Sequence, residues 1–354
     1  MSRNYTGIKI LSWNVGGAKF LKLPKSDPKT RNPAPNRHEF RCALNKRLEQ
    51  LLHLHRPDFV LLQEIVQYEC YPNPFNLITR EWEDYYYLPV IAIDTLNQNH
   101  PLKWKPYREE GAWSEDAYLA QGYGLLWKKK IYHCPIFGDF RDEQQLRNDY
   151  HLPIEIVHID TGLYRGDRDT EPRLAVVAHF VLSAPDGPID VFLVNLHLTT
   201  LKGEREGVLS RNREGRVIRE KQLDLILDGI VSRYNQWWNE RIDDWKMKRH
   251  KPVWILGGDF NCLPDSDEIR KIRSNGFFNL IHDHQPTKAS GLGSEAGIIL
   301  DYLFAGLDNY SIDATIMQTD FTEQLRQVSQ TVIDGPMISD HRPISGYLPI
   351  KVDN

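Results

Sequence analysis

Six short apolar runs in this 354-residue chain read as strands, each with a polar residue suited to chemistry at its C-terminal end. The polar residues are Asn14, Glu64, His197, Asp259 with Asn261, Asp301, and Asp340 with His341. A strand buries its apolar body in a sheet and presents its end at a rim. Such a set points to a fold built on sheets, and it makes a site if the sheets bring these ends to one rim. The sharpest instance is Val253-Trp254-Ile255-Leu256, which runs into Gly257-Gly258-Asp259-Phe260-Asn261. Side-chain alternation places Asp259 and Asn261 on one side and turns Phe260 into the core. The two glycines are expected to leave room for a bulky group, such as a phosphate, to approach the backbone.

The intervening segments predict how these strands are packed. Ile8 to Asn14 reads as a strand closed by Gly16-Gly17, and a helix follows with Phe40, Leu44, Leu48, Leu51 and Leu52 on one stripe, stopping before Pro57. Phe59 to Leu62 is a buried strand that delivers Gln63-Glu64 at its end. Leu174 to Leu182 and Ile189 to Leu196 form the arms of a hairpin, and a long helix carries Leu223, Ile226, Leu227, Ile230 and Tyr234. Strands recur with few long helices between them, and many connections are short. This predicts stacked sheets flanked by helices rather than a doubly wound parallel sheet. Residues 1–354 form one domain, without internal repeat, low-complexity tract or linker. The stretch from Tyr68 to Trp113, rich in aromatics and prolines, reads as an aromatic mini-core, with a cleft-shaping insertion as the alternative.

Composition narrows the partners. A 41% apolar content supports a sizeable core, and a net charge of −4 excludes a uniformly basic protein that coats nucleic acid. Local charge differs: from Lys19 to Arg47 there are nine Lys and Arg against Asp27 and Glu39, which fits a phosphate-facing loop or a solvated one. The four cysteines, Cys42, Cys70, Cys134 and Cys262, have no CxxC spacing, which points to a reducing compartment. With no signal-peptide pattern and no membrane-spanning run, an intracellular, cytoplasmic location is expected.

If the six polar ends meet at one rim, the site holds several carboxylates, two carboxamides and two imidazoles. So many carboxylates repel one another unless a cation is present, and oxygen ligands favour a hard ion, Mg²⁺ or Mn²⁺. Such a set suits hydrolysis of a phosphate ester. The segments Ser12-Trp13-Asn14, Leu62-Gln63-Glu64, Asn195-Leu196-His197-Leu198, Gly258-Asp259-Phe260-Asn261, Asp301-Tyr302-Leu303-Phe304 and Ser339-Asp340-His341 occur in the order found in one superfamily. On these segments the chain resembles the endonuclease/exonuclease/phosphatase superfamily. The resemblance implies a DNase I-like fold, a four-layer α/β sandwich of two packed mixed β-sheets flanked by helices, with insertions at about 67–118 and 135–170.

The resemblance also implies roles. Glu64 is the principal metal ligand, with Asn14 and Asp340 nearby. Asp259 positions or activates the attacking water and Asn261 orients the phosphate. His341, paired with Asp301, contacts the scissile phosphate, and His197 contacts a second phosphoryl oxygen. Asn195, Arg173 and Tyr123 are substrate-binding positions. Taken singly, Asn14 or Glu64 would be an ordinary turn residue; the shared context reverses that reading. His282-Asp283-His284 is read as structural or solvent-exposed, Lys128-Lys129-Lys130 as a turn, and Arg211 to Lys221, interleaved with Glu214 and Glu220, as a solvated helix start. P-loop, GxSxG and HExxH patterns are absent. The expected function is a Mg²⁺-dependent phosphodiesterase, a nuclease for DNA or RNA. The alternatives are a phosphatase or phosphodiesterase for an inositol phosphate or lipid head group, and a catalytically silent binding module.

Overall fold

A computed structural model describes residues 7–16, 35–69, 75–76, 78, 82–91, 118–134, 154–159, 173–184, 187–201, 204, 208–242, 252–280, 286–288, 298–307, 339 and 341–349. Asp340, the cations from Lys19 to Arg31, His282 to His284 and most of the two insertions lie outside the described residues.

Two mixed sheets form the body. The first has the order β13 (Ile344–Pro349), β1 (Gly7–Asn14), β2 (Phe59–Glu69), β5 (Tyr118–Lys128), β4 (Tyr85–Ile91), with β3 (Phe75–Asn76) also on β2. The second has the order β11 (Phe277–Asn279), β12 (Asp301–Leu307), β10 (Val253–Asp259), β9 (Gly187–His197), β8 (Leu174–Ala184), β6 (Tyr132–Cys134), with β7 (Ile154–His158) on β8. β1 and β2 run parallel, as do β9 and β10, and the remaining neighbours are antiparallel. The expected hairpin is β8–β9, with Leu182 opposite Ile189. β4 pairs along β5 from Tyr85 to Ile91, so this part of the first expected insertion is a strand of the sheet itself.

Side-chain alternation divides the strands among three apolar layers. Ile8, Ile10, Phe59 and Leu61 from the first sheet meet Val176, Val191, Leu193, Ile255 and Leu303 from the second. On the outer face of the first sheet, Leu11, Trp13, Val60, Leu62 and Leu126 pack against Phe40, Leu44, Leu48, Leu51 and Leu52 of α1 (Pro35–His55). Trp82 and Tyr85 join that outer core rather than forming a separate one. On the outer face of the second sheet, Phe192, Val194, Trp254, Leu256 and Phe304 pack against Leu223, Ile226, Leu227, Ile230 and Tyr234. These come from a long helix of three pieces: α2 (Leu209–Asp224), a π-helical turn (Leu225–Val231) and α3 (Ser232–Ile242). The short α4 (Asp267–Ser274), capped by the Ser266 hydroxyl, adds Ile269 and Ile272. The result is helix, sheet, sheet, helix: the four-layer sandwich of a DNase I-like fold. Fully burying each such apolar side chain contributes roughly 1.5–3 kcal/mol. No helix among the described residues is long and apolar enough to cross a membrane.

Candidate active site

The inner faces that build the central core also carry the polar ends. In β10, Val253 and Ile255 point inward, and continuing the alternation brings Asp259 to the same face at the rim. In β9 the inward series Val191, Leu193 continues through Asn195 to His197, and in β12 Leu303 and Ala305 share their face with Asp301. Register sets three of these side by side, since Asp259 lies opposite His197 on one flank and Asp301 on the other. From the facing sheet, Ile8 and Ile10 continue to Asn14. The site therefore closes one end of the cleft between the two sheets.

Three placements differ from the simple expectation of strands ending in a polar residue. Asp301 starts β12 and His341 precedes β13; both strands run antiparallel to their neighbours β10 and β1, so a strand start lies beside a strand end. Glu64 is not terminal, because β2 continues to Glu69. A register break between Gln63 and Ile65 marks a β-bulge there, and Glu64 adopts φ 55°. The extra residue frees Glu64 from strict alternation and lets Ile65 fall into the outer core. Asn261 also has positive φ, 52°. A left-handed backbone costs a residue about 1–2 kcal/mol, and finding two such residues at the rim marks a place where geometry outweighs local stability.

The two glycines before Asp259 serve packing rather than ligand access. A Cβ at Gly257 would lie 2.5 Å from Leu61 Cδ1 and 2.6 Å from Leu303 Cδ2, so its absence lets the sheets close. At Gly258, φ is 144° and a Cβ would collide with the Leu196 carbonyl oxygen of β9.

Asp259 is the hub. Its Oδ1 accepts from the Asn261 backbone N–H at 2.9 Å, and its Oδ2 accepts from Asn14 Nδ2 at 3.1 Å. The Nε2 atoms of His197 and His341 each lie 3.6 Å from the same Oδ2. Asn14 Nδ2 also donates to Glu64 Oε1 at 3.1 Å, while Asn14 Oδ1 accepts from Gly16 N. His341 Nδ1 lies 2.8 Å from Asp301 Oδ2. Asp301 is held in turn by Thr287, whose hydroxyl accepts from the N–H groups of Leu300 and Asp301. Ser339 Oγ donates to the Asn14 carbonyl and accepts from His341 N, and Trp13 Nε1 donates to the His341 carbonyl.

The electrostatics follow from burial and neighbours. Burial pushes the Asp259 carboxyl up, but His341, His197 and Lys288 outweigh it and hold the group down at about 2. Burial lowers His341, yet Asp301 and Asp259 raise it to about 9. Burial raises Asp301, against the pull of His341. His197 is driven well below its usual value by burial and by Arg173. Arg173 N–H lies 2.9 Å from His197 Nδ1. A guanidinium is always a donor, so Nδ1 must accept and the ring proton sits on Nε2, facing Asp259.

Asp259, Asp301 and His341 offer three possible ligand atoms within 4.8 Å of one another. The short Asp301–His341 contact occupies Nδ1, so these residues read better as an acid–imidazole couple than as a cation cage. The oxygen-rich flank at Glu64 fits a hard cation. Asn14 fits there only with its amide turned over, because Nδ2 faces both carboxylates in this arrangement.

Two expected substrate positions have internal roles. Asn195 Nδ2 donates to the Leu62 and Gly124 carbonyls at 3.0 and 3.1 Å, and its Oδ1 accepts from Gln63 Nε2 at 2.7 Å. It ties the second sheet to the first beneath the site. The Tyr123 hydroxyl accepts from Leu174 N at 3.2 Å, bridging β5 to β8. Thr287 and Lys288 were not legible from sequence. Lys288 pairs through its backbone with His341 and Ile298, is half-buried, and acts electrostatically on Asp259, His197 and His341. No strand-like run flags it.

Among solved structures, similar chains include D. rerio TDP2 humanized by 14 mutations (14% identity, 98% of this chain and 100% of that one, TM-score 0.47). D. rerio TDP2 complexed with single strand DNA product gives 14%, 98%, 100% and 0.45. An endonuclease/exonuclease/phosphatase from Bacteroides vulgatus gives 14%, 98%, 100% and 0.49. At this level the likenesses say nothing about substrate, and the fold assignment rests on the sheets themselves. No curated protein sequence matches the chain. The sequence profile of the Endonuclease/Exonuclease/phosphatase family matches residues 11–341, a span that includes every site residue placed above. With that match, the chain belongs to the Endonuclease/Exonuclease/phosphatase family.

Proposed function

We propose that this protein is a divalent-metal-dependent phosphodiesterase and that its substrate is nucleic acid. The observation that carries the reading is the convergence on Asp259 Oδ2 of Asn14 Nδ2 and of two imidazole Nε2 atoms from different strand ends. Glu64 would hold the cation, with Asp340 beside it, while Asn14, whose Nδ2 donates to Glu64 and Asp259, holds those two carboxylates in place. When bound, Mg²⁺ or Mn²⁺ offsets charge on the phosphoryl oxygens and makes water more acidic.

The chain's own groups supply the rest. Asp259, fixed by Asn14 and by the Asn261 N–H, orients a water toward phosphorus. As the water oxygen bonds to phosphorus one ester P–O bond breaks, the water's proton passes to Asp259 and the departing ester oxygen takes one from solvent, while negative charge grows on the phosphoryl oxygens. His341, held by Asp301, and the Nε2–H of His197 are preorganised donors for that charge. A polyanionic substrate is favoured by the cation-rich sequence that follows Asn14, with Lys19, Lys22, Lys25, Lys29 and Arg31 against Asp27 alone before α1.

A substrate panel tests this. Purified protein with Mg²⁺ or Mn²⁺ cleaves single- or double-stranded DNA or RNA, and chelator abolishes cleavage. Intact nucleic acid under all conditions, with phosphate released from inositol phosphates, assigns a head-group enzyme instead. No turnover on any substrate assigns a binding module.

A further inference from the structure

We propose that Gln222 and Arg219, on the outer helix α2, are positioning residues that hold the catalytic rim through one short segment, Leu198–Leu201. The proposal rests on the phosphodiesterase reading for its kinetic consequence and on geometry for its structural one.

Leu198 directly follows His197, and its backbone is shared with two other site residues. Its N–H donates to the Asp259 carbonyl at 2.9 Å, and its carbonyl accepts from Asn261 Nδ2 at 2.9 Å. That second bond matters because Asn261 sits in a left-handed conformation and steers its own N–H onto Asp259 Oδ1. The next residue, Thr199, is clamped from the helix side at three atoms. Its N–H donates to Gln222 Oε1 at 3.0 Å, its hydroxyl accepts from Gln222 Nε2 at 2.9 Å, and its carbonyl accepts from Arg219 at 3.1 Å. Leu201 N–H donates to Glu204 Oε2 at 2.9 Å.

Arg219 is itself locked between two buried carboxylates, 2.6 Å from Glu204 Oε1 and 3.0 Å from Glu268 Oε1 of α4. Gly215, one turn before Arg219, leaves space that Glu204 fills; a Cβ there would lie 2.5 Å from its carboxylate. Three carbonyl or carboxylate partners around one guanidinium make a rigid node, since a buried charge with fixed hydrogen bonds has one arrangement. The helix layer thus reaches round the C-terminal end of β9 to set where Leu198 presents its carbonyl. That carbonyl sets the Asn261 amide, and Asn261 sets Asp259.

Replacing Gln222 with Leu tests this without stranding a charge, and Thr199→Val removes only the hydroxyl end of the clamp. A displacement of about 1 Å at a reacting group lowers rate on the order of a hundredfold. Gln222→Leu is therefore expected to lower kcat about tenfold to a hundredfold with KM within about twofold of wild type. Thr199→Val shifts kcat in the same direction. In an Asn261→Ala background, Gln222→Leu produces no further loss, because both act through the Leu198 carbonyl. Amide hydrogen exchange gives a readout independent of turnover: protection at Leu198 and Asn261 falls at least about tenfold in Gln222→Leu. Wild-type kcat in both single variants, or unchanged exchange at Leu198 and Asn261, overturns the proposal. Wild-type protein inactive on every phosphodiester refutes the functional reading alone and leaves the exchange measurement to decide the brace.

Discussion

Asn195 separates a substrate contact from a structural tie, and Asn195→Leu decides between them because leucine has nearly the same shape and no polar atoms. The wild-type side chain makes three buried hydrogen bonds, two to carbonyls of the facing sheet and one from Gln63. Leu62 and Gly124 face each other across the β2–β5 ladder, immediately before the bulge at Glu64, and one amide serves both carbonyls. Each net hydrogen bond is worth about 0.5–1.5 kcal/mol, so the three sum to roughly 1.5–4.5 kcal/mol. Gln63 Nε2 retains the Ser12 hydroxyl at 3.2 Å, which favours the lower half of that range. The expected loss is about 2–3 kcal/mol, read as a lower urea midpoint at unchanged m-value. Below that midpoint, KM stays within about twofold of wild type. Wild-type stability with KM raised tenfold or more would refute the assignment of Asn195 as a sheet-to-sheet tie.

Other outcomes follow from the same geometry. Glu64→Gln weakens Mg²⁺ or Mn²⁺ binding, read by calorimetry, and lowers kcat by several orders of magnitude with thermal stability retained; undiminished metal affinity would place the ion elsewhere. Lys288→Ala weakens binding of a non-hydrolysed oligonucleotide and reduces the slope of log affinity against log salt by about one, whereas an unchanged slope removes Lys288 from the phosphate path. Leu44→Ala, beneath the first sheet and fully buried, destabilises by about 2–5 kcal/mol in denaturant melts while kcat of the folded enzyme is unchanged.

The strand bodies and the helix stripes were legible in sequence because burial imposes a period. Phe40, Leu44, Leu48, Leu51 and Leu52 all enter the outer core, and Leu223 through Tyr234 face the second sheet as their spacing predicts. The π-helical turn at Leu225–Val231 was not legible, since it shifts hydrogen-bond partners without disturbing the apolar stripe. Among site residues, Asn14, Glu64, His197, Asp259, Asn261, Asp301 and His341 stand in motifs, and the structure brings them together. Asn195 stands in one of the same motifs yet turns inward to Leu62 and Gly124. Motif membership shows that a position is constrained, and only three-dimensional neighbours distinguish constraint by substrate from constraint by packing.

The sequence by itself determined which residue types are available for phosphoryl chemistry and which faces of the strands are buried, because composition and alternation are local properties. Tertiary structure alone decided which polar ends meet. Antiparallel pairing carries Asp301 and His341, at strand starts, to the rim where Asn14 and Asp259 end their strands. A one-residue bulge releases Glu64 from the alternation toward Asn14, and the helix packed on the second sheet reaches the Thr199 backbone, next to Leu198, through Gln222 and Arg219. Register, bulges and cross-layer hydrogen bonds depend on groups distant in the chain, so no window of sequence contains them.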